Sequence, residues 1–472
     1  MRRDTYLKLQ LFLFALAFVI DTSQYSAFSA IILLVFGFIA VLSFLFYKDP
    51  NSDIRKIYFR PIHLFLLSFV IVFFQTPIDI LLGYQYDYYN IGRIDVMPES
   101  VRLSVMGITS FLMGYLIVSK KPRALKRKIV LRPASVEIFK ILTSILMVII
   151  YVVMPRTALM GGYHTSELDD SVYNYLNSWC AVFFCAFFIQ NTINMRLNGE
   201  GKGMTIKQYI ISIGWWQNIN MAAYSLMILN IGDRGPVIVI SLIYYLTYIS
   251  VSGICPSRKF LATVMAIGVL LMAFLGYTKK FRDNNSIFER ATVTMKADPY
   301  ESLDKSVFQP THELATSYRC LSYAVEDMQR NGNYGYGKYQ LSYILSCIPF
   351  ANRLFGLPRP TSNYISHLIQ GNFLSYGNGT SVIADFYLDG GWMGVVILMF
   401  IFGYFVKQFE YVLFAENYSS LLLFCVAFYF SIHFISVPRS FLLLDLKYSV
   451  WLTLILYIFQ QFGGKKLKGK MS

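Results

Sequence analysis

The sequence lacks most of what marks a soluble enzyme. Only 15% of its 472 residues are charged, against about a quarter in ordinary soluble domains. No Walker-type phosphate loop is present, which excludes an ATP-driven machine, and there is no Gly-x-Ser-x-Gly elbow and no His-Glu-x-x-His helix. No Asp-x-Asp pair stands at the edge of an apolar run, which argues against a metal-dependent sugar transferase. The six cysteines (Cys180, Cys185, Cys255, Cys320, Cys347 and Cys425) show no zinc-ligand spacing. Small residues fit for cleavage do not follow the first apolar run, so a removable signal peptide is not expected. Fixed-period repeats and low-complexity tracts are absent as well.

What the chain has in abundance is apolar length. Apolar residues make up 56% and aromatics 17%, and the mean hydropathy is +0.49. Runs of roughly 17–25 apolar residues suit membrane-crossing helices. A short first run, Leu9–Ile20, is followed by runs near that length at Ala27–Tyr47, Pro61–Leu82, Leu103–Val118, Val136–Met154, Val172–Asn194, Ile206–Ile231, Pro236–Val251 and Phe260–Tyr277. After a long gap come Gly391–Val406, Ser419–Ser436 and Tyr448–Phe462. The pattern predicts an all-α polytopic membrane protein with about twelve transmembrane helices. The net charge of +15 does not point to nucleic acid, because Lys and Arg gather in alternate links. Lys120–Arg132 and the Lys465–Lys470 tail are the richest of these. Excess Lys and Arg marks the cytoplasmic side, which places both termini in the cytoplasm and the stretch 279–390 outside. The chain is thereby divided into 1–278 with nine spans, a large helical external loop at 279–390, and 391–472 with three spans and a basic tail.

The external stretch collects the chemistry. Within it His312–Met328 carries Leu314, Tyr318, Leu321 and Val325 at helical spacing, Arg359–Ser375 reads as a second short helix, and Gly377–Thr380 as a tight bend. Tyr339–Phe350 is apolar but too short to span, and is expected to lie in or dip into the membrane interface. Cys320 and Cys347 share the stretch; a disulfide between them is possible, two unpaired thiols the simpler reading. Arginines on the outer side run against the usual bias and need a reason. Arg234 stands between glycines at the outer end of a helical hairpin, and Arg439 in the last outer link. Arg319, Arg353 and Arg359 lie in the loop. Guanidinium groups bind diphosphate in a planar, bidentate way at any pH, and neutralise it as a leaving group. Asp385 and Asp389, one turn apart, suit sugar hydroxyls, as does Glu313, while His367 suits a proton acceptor. Each has a structural counterpart: an ion pair, a helix cap, a satisfied histidine, or a side chain reaching to head groups. Buried mid-membrane charge, which an ion-coupled transporter needs, is scarce, and Asp79 is its main representative.

Three pieces carry a resemblance: Gly232-Asp233-Arg234-Gly235 opening a span; Tyr334–Gly337 followed by Ile348-Pro349; and Gly379-Thr380-Ser381-Val382-Ile383-Ala384-Asp385-Phe386-Tyr387-Leu388-Asp389-Gly390-Gly391-Trp392-Met393-Gly394. Together with the topology they resemble the Wzy-type O-antigen polymerases, the oligosaccharide repeat-unit polymerases of bacteria. Members often have an acidic residue and an aromatic where Asp385 and Tyr387 stand, then a glycine pair like Gly391 and Gly394. An Arg-x10-Gly element found in some members has only a longer counterpart here, Arg359 to Gly371. The resemblance implies a membrane glycosyltransferase C-like fold with no metal and no cofactor. It also implies transfer of a sugar chain from an undecaprenyl-diphosphate carrier to a new lipid-linked repeat unit, at the periplasmic face of the inner membrane. On that footing Arg234 and Arg359 hold the diphosphate, with Arg439, Arg319 and Arg353 behind them. His367, then Asp385, activates the acceptor hydroxyl, and Glu313 and Asp389 contact substrate. The partners implied are the lipid-linked oligosaccharide, membrane lipids and a chain-length regulator. An O-antigen ligase, or a non-enzymatic flippase for the same lipid-linked sugars, are the alternatives.

Overall fold

In the computed structural model of the chain, the residues described are 3–49, 57, 59–84, 93–118, 132–153, 172–231, 235–257, 259–264, 266–268, 306–308, 311–348, 350–372, 379–414 and 420–468. Among them there is helix and no strand. They pack as two compact units that interleave in sequence. The first is formed by Met1–Arg123, Leu303–Ala415 and His433–Lys447, the second by Ala124–Ser302, Glu416–Ile432 and Tyr448–Ser472.

The first unit is built around α4 (Met97–Ile117), with α1 (Arg3–Val19), α2 (Ala27–Leu45), α3 (Pro61–Leu81) and the long α15 (Val382–Phe414) beside it. Nearly every residue of α4 is buried, so it is a central helix with no lipid face. Its hydroxyls turn inward onto their own helix: Ser104 donates to the Ser100 carbonyl at 2.8 Å, and Thr109 to that of Val105 at 2.7 Å. Glycine lets α4 and α15 meet backbone to backbone. A Cβ at Gly403 would sit 1.9 Å from the Phe111 carbonyl oxygen, and one at Gly114 would sit 2.0 Å from that of Phe400. α3 contains a π-helical turn at Ile71–Gln75, just before Pro77, whose ring cannot donate to the α-helical ladder.

α15 is not straight. At Gly390 and Gly391 the backbone leaves helical geometry, Gly391 with φ +61°. Downstream, a Cβ at Gly394 would lie 2.6 Å from the Phe386 carbonyl oxygen, eight residues earlier. In a straight helix those residues stand about 12 Å apart. Val382–Asp389 is therefore a short half-helix folded back beside the following turns. The side chains of both Ile383 and Val395 crowd against Gly107 of α4.

The second unit contains α5 (Glu137–Val153), α6 (Val172–Leu197), α7 (Ile206–Ile213), α8 (Trp215–Ile231) and α9 (Gly235–Ser252), with most of α16 (Leu421–His433) and α17 (Leu444–Lys468). Buried amides tie it: Gln460 donates to Gln190 at 3.0 Å, and Asn194 pairs with both backbone groups of Ala134. Arg196 donates twice to Ser250, each bond 2.6 Å.

Six described helices are long and apolar enough to cross a membrane: Ala27–Leu45, Pro61–Leu81, Ile94–Ile117, Leu176–Leu197, Gly235–Ser252 and Val382–Phe414. Two expectations change. The run Ile206–Ile231 is not one span, because Gly214 takes φ +90° and ends α7 before α8 begins. The span expected at Gly391–Val406 belongs to a helix that starts at Val382, inside the expected loop, and continues to Phe414. Most of the run Phe260–Tyr277 lies outside the described residues.

Candidate functional site at one end of the first unit

The helices of the loop assemble on the Asp79, Glu99 and Asp385 end of the first unit. They are α10 (His312–Ala315), α11 (Tyr318–Asn331), α12 (Lys338–Leu345), α13 (Ala351–Leu354) and α14 (Thr361–Gln370). The expected face of α11 is found: Tyr318, Leu321 and Val325 are fully buried, with Leu314 on α10 half-buried. Asp79 fixes the loop's start, accepting from the Ser306 hydroxyl and the Val307 N–H, both at 2.7 Å.

Asp385 is the hub of this assembly. It is fully buried in the folded-back half-helix, where Ser381 caps the helix start by accepting from the Ala384 N–H. Its carboxylate accepts from Gln340 Nε2 at 2.8 Å, Tyr343 Oη at 3.1 Å and Thr361 Oγ1 at 2.7 Å. Burial and the Asp385 charge push the Tyr343 phenol well above its usual range. One turn on, Asp389 accepts from the backbone N–H groups of Gly337, Tyr339 and Gln340, capping α12 where the helix dipole favours an anion. Asp385 and Asp389 thus hold α12 from both sides. Tyr387 between them meets the Tyr334 ring edge-on at 6.0 Å.

From α12 the fixation passes to the arginines. Ser342 Oγ donates to the Pro358 carbonyl at 3.0 Å, and the Thr361 N–H donates to Tyr343 Oη at 2.9 Å. Arg359 stands between those two anchors, exposed, in a Pro-Arg-Pro segment whose flanking rings restrict the backbone. Arg353 is exposed beside Asn352, which donates to Ser342 Oγ. The Tyr343 ring also stacks on Phe441 at 4.3 Å and 11°. This brings in exposed Arg439 at the end of the 3-10 turn Val437–Arg439, whose carbonyl lies close to Gly379. Arg319, half-buried on α11, and Arg439 both act on the Cys320 thiol, which burial nevertheless pushes up to about 11. Cys320 and Cys347 are both free thiols.

Other expected residues stand apart. His367 is exposed on α14, with Nδ1 3.1 Å from the Gly371 carbonyl. Glu313 is half-buried in the first turn of α10. Arg234 lies outside the described residues. The sequence reading missed Arg102, which grips Glu99 through two 2.7 Å contacts while Thr22 donates to the same carboxylate.

It also missed a buried ion cluster at the opposite end of the unit. Arg60, at the N-cap of α3, lies 3.4 Å from Asp49 and 3.3 Å from Glu410. Lys407 pairs with Asp49 and lies 4.0 Å from Glu410. Tyr115 donates to Glu410 at 2.5 Å and accepts from Arg60 at 2.9 Å. All four charged side chains are almost fully buried, and two acids balance two bases. Such a set is stable only when complete.

A sequence model of one family, O-antigen polysaccharide polymerase Wzy, matches residues 6–466, nearly the whole chain. The chain belongs to the Wzy O-antigen polysaccharide polymerase family. No curated protein and no solved structure matches it. Membership identifies a membrane protein of polysaccharide biosynthesis whose family polymerises O-antigen, a glycosyltransferase-type activity on lipid-linked repeat units.

Proposed function

We propose that the protein joins undecaprenyl-diphosphate-linked oligosaccharide repeat units into O-antigen or a related polysaccharide. The reaction takes place at the periplasmic face of the inner membrane, with both termini cytoplasmic. The Asp385 end of the first unit would be the periplasmic one. The observation that carries this reading is the tethered, exposed Arg359, fixed on both flanks through α12 to the buried Asp385. Backbone anchored on both sides of an exposed guanidinium lowers the ordering cost of binding a diphosphate, which then falls on the side chain alone.

In this reading the acceptor sugar hydroxyl attacks the anomeric carbon of the donor chain. The bond to the carrier diphosphate breaks, and the diphosphate leaves with the electron pair while Arg359 and Arg439 neutralise it. Arg319, Arg353 and Arg234 extend the same cationic surface. His367, being exposed, is the group to take the hydroxyl proton, and Glu313 contacts sugar. Asp385 and Asp389 are positioning residues, since their oxygens are occupied by the loop itself. No metal enters the scheme, and a chain-length regulator would act on the finished geometry from outside. The four buried charges of the other end do not favour a flippase, because they neutralise one another at the ends of the helices.

Arg359→Ala and Arg234→Ala tested in cells should each leave lipid carrying one repeat unit and no longer polymer. Polymer of normal length made by either variant at normal abundance removes that arginine from the mechanism. Ligation failure is told apart by polymer accumulating on the carrier.

A further inference from the structure

α12 is amphipathic in the inverted sense. On α12 the inward side chains are Ser342 and Tyr343, while Leu341 and Ile344 face outward. The chain then continues through exposed Ile348 to Phe350, Leu354 and Phe355, which are 79%, 81% and 68% exposed. A helix facing water shows the opposite pattern, polar side out. Phe350 also holds φ +65°, a left-handed conformation that non-glycine residues rarely adopt, and in doing so turns a large ring away from the protein.

The exposed charge along this finger has one sign, since the carboxylates that touch α12, Asp385 and Asp389, are buried. No acidic residue stands between Asp327 and Asp385 in sequence, whereas Lys338, Arg353 and Arg359 fall there and are exposed; Arg330 is paired with Glu326 at 2.6 Å. The finger is also continuous with the apolar outside of a candidate span. α12 is capped by Asp389, and three residues on, Trp392 and Met393 begin the exposed apolar side of α15.

We infer that Leu341–Phe355 is a membrane anchor: Phe350, Leu354 and Phe355 insert into the leaflet at the Asp385 end of α15 while Lys338 and Arg353 meet anionic head groups. Apolar insertion with a cationic rim is how interfacial helices bind anionic bilayers. The inference needs only that the first unit is embedded in a membrane, and it stands whichever sugar chemistry the site performs.

The test uses the full-length protein with its native cysteines replaced and an environment-sensitive NBD dye attached at L354C or F355C. N363C, an exposed position on α14, is the reference. In phosphatidylcholine vesicles containing phosphatidylglycerol, the dyes at 354 and 355 should emit to the blue and lose most of their fluorescence to doxyl-labelled lipid. The dye at 363 should emit as in water. Omitting phosphatidylglycerol should make insertion shallower. Water-like emission at both 354 and 355 in vesicles overturns the anchor. So does blue emission that doxyl-labelled lipid fails to quench, which means that the finger packs on protein. Insertion indifferent to phosphatidylglycerol overturns the role given to the cationic rim.

Discussion

Asp385 invites the sharpest test, because a base and a positioning residue respond differently to the same two substitutions. Asp385→Ala leaves Gln340 Nε2, Tyr343 Oη and Thr361 Oγ1 without their shared acceptor in a fully buried place. An unsatisfied buried donor costs about 1–3 kcal/mol. Tyr343 Oη and Thr361 Oγ1 lie 2.7 Å apart and can still satisfy one donor between them, so two donors lose their acceptor. At about 1.5 kcal/mol each that is about 3 kcal/mol, or roughly a hundredfold against the ordered arrangement of α12 and the Arg359 segment. Asp385→Asn keeps an oxygen for Tyr343 and Thr361, and Gln340 can turn its own amide to meet the new NH2. The asparagine variant should therefore retain much of its long-chain polymer, and the alanine variant almost none. The assay is the length distribution of surface polysaccharide, normalised to the amount of protein in the membrane. Equal and complete loss in both variants at normal abundance would refute the positioning role and return Asp385 to proton transfer.

The ion cluster predicts that Lys407→Met costs about 3–5 kcal/mol, since Asp49 and Glu410 then share one cation. Adding Asp49→Asn should recover more than half of the lost thermal stability in detergent, and failure to recover denies the coupling. Gly403→Ala should lower the melting temperature sharply, because overpacking costs about 1–3 kcal/mol even where side chains can shift, and here backbone blocks the methyl. Gly390→Ala, with open space around its Cβ, should be nearly silent, and equal effects of the two refute the packing argument. Finally, the buried Cys320, whose thiol burial pushes up to about 11, should resist maleimide at pH 8, where little thiolate exists, and label only on unfolding.

Much of the helical layout is legible because long apolar runs have few other uses. The boundaries of Ala27–Leu45 and Gly235–Ser252 fall within a residue or two of what hydropathy implies. What escapes has a common cause: it depends on partners distant in sequence. Gly214 breaks an apolar run that hydropathy reads as continuous. Lys407 and Glu410 look like the polar margin of a span, yet the helix runs on and Arg60 and Asp49 close over them. Asp385 and Asp389 are visible as acids a turn apart, but their occupation by α12 is not, because Gln340, Tyr343 and Thr361 lie some twenty to fifty residues away. Exposure separates the arginines in a way that sequence does not. Arg353, Arg359 and Arg439 face outward, while Arg102 is held by Glu99 and Arg60 is buried in the cluster.

α15 links these features into one physical argument. It carries Asp385 and Asp389 at its start and Lys407 and Glu410 near its end, with Gly394 and Gly403 in close contact between them. Sliding the helix by one residue along its axis would move every group by about 1.5 Å. That is enough to break the Glu410 bonds to Tyr115 and Arg60, and Gly403 would no longer face the Phe111 carbonyl. The ion cluster therefore sets the register of the helix whose other end organises the loop. The coupling has to cross the kink at Gly390 and Gly391, where the close approach of Gly394 to the Phe386 carbonyl and the packing of Ile383 and Val395 on Gly107 join the half-helix that carries Asp385 to the rest of α15. Swapping Arg60 and Glu410 for one another, which preserves net charge but not hydrogen-bond geometry, should shorten the polymer without touching the site. If chain length is unchanged in a correctly inserted swap variant, the two ends are independent and the loop owes its order to local contacts alone.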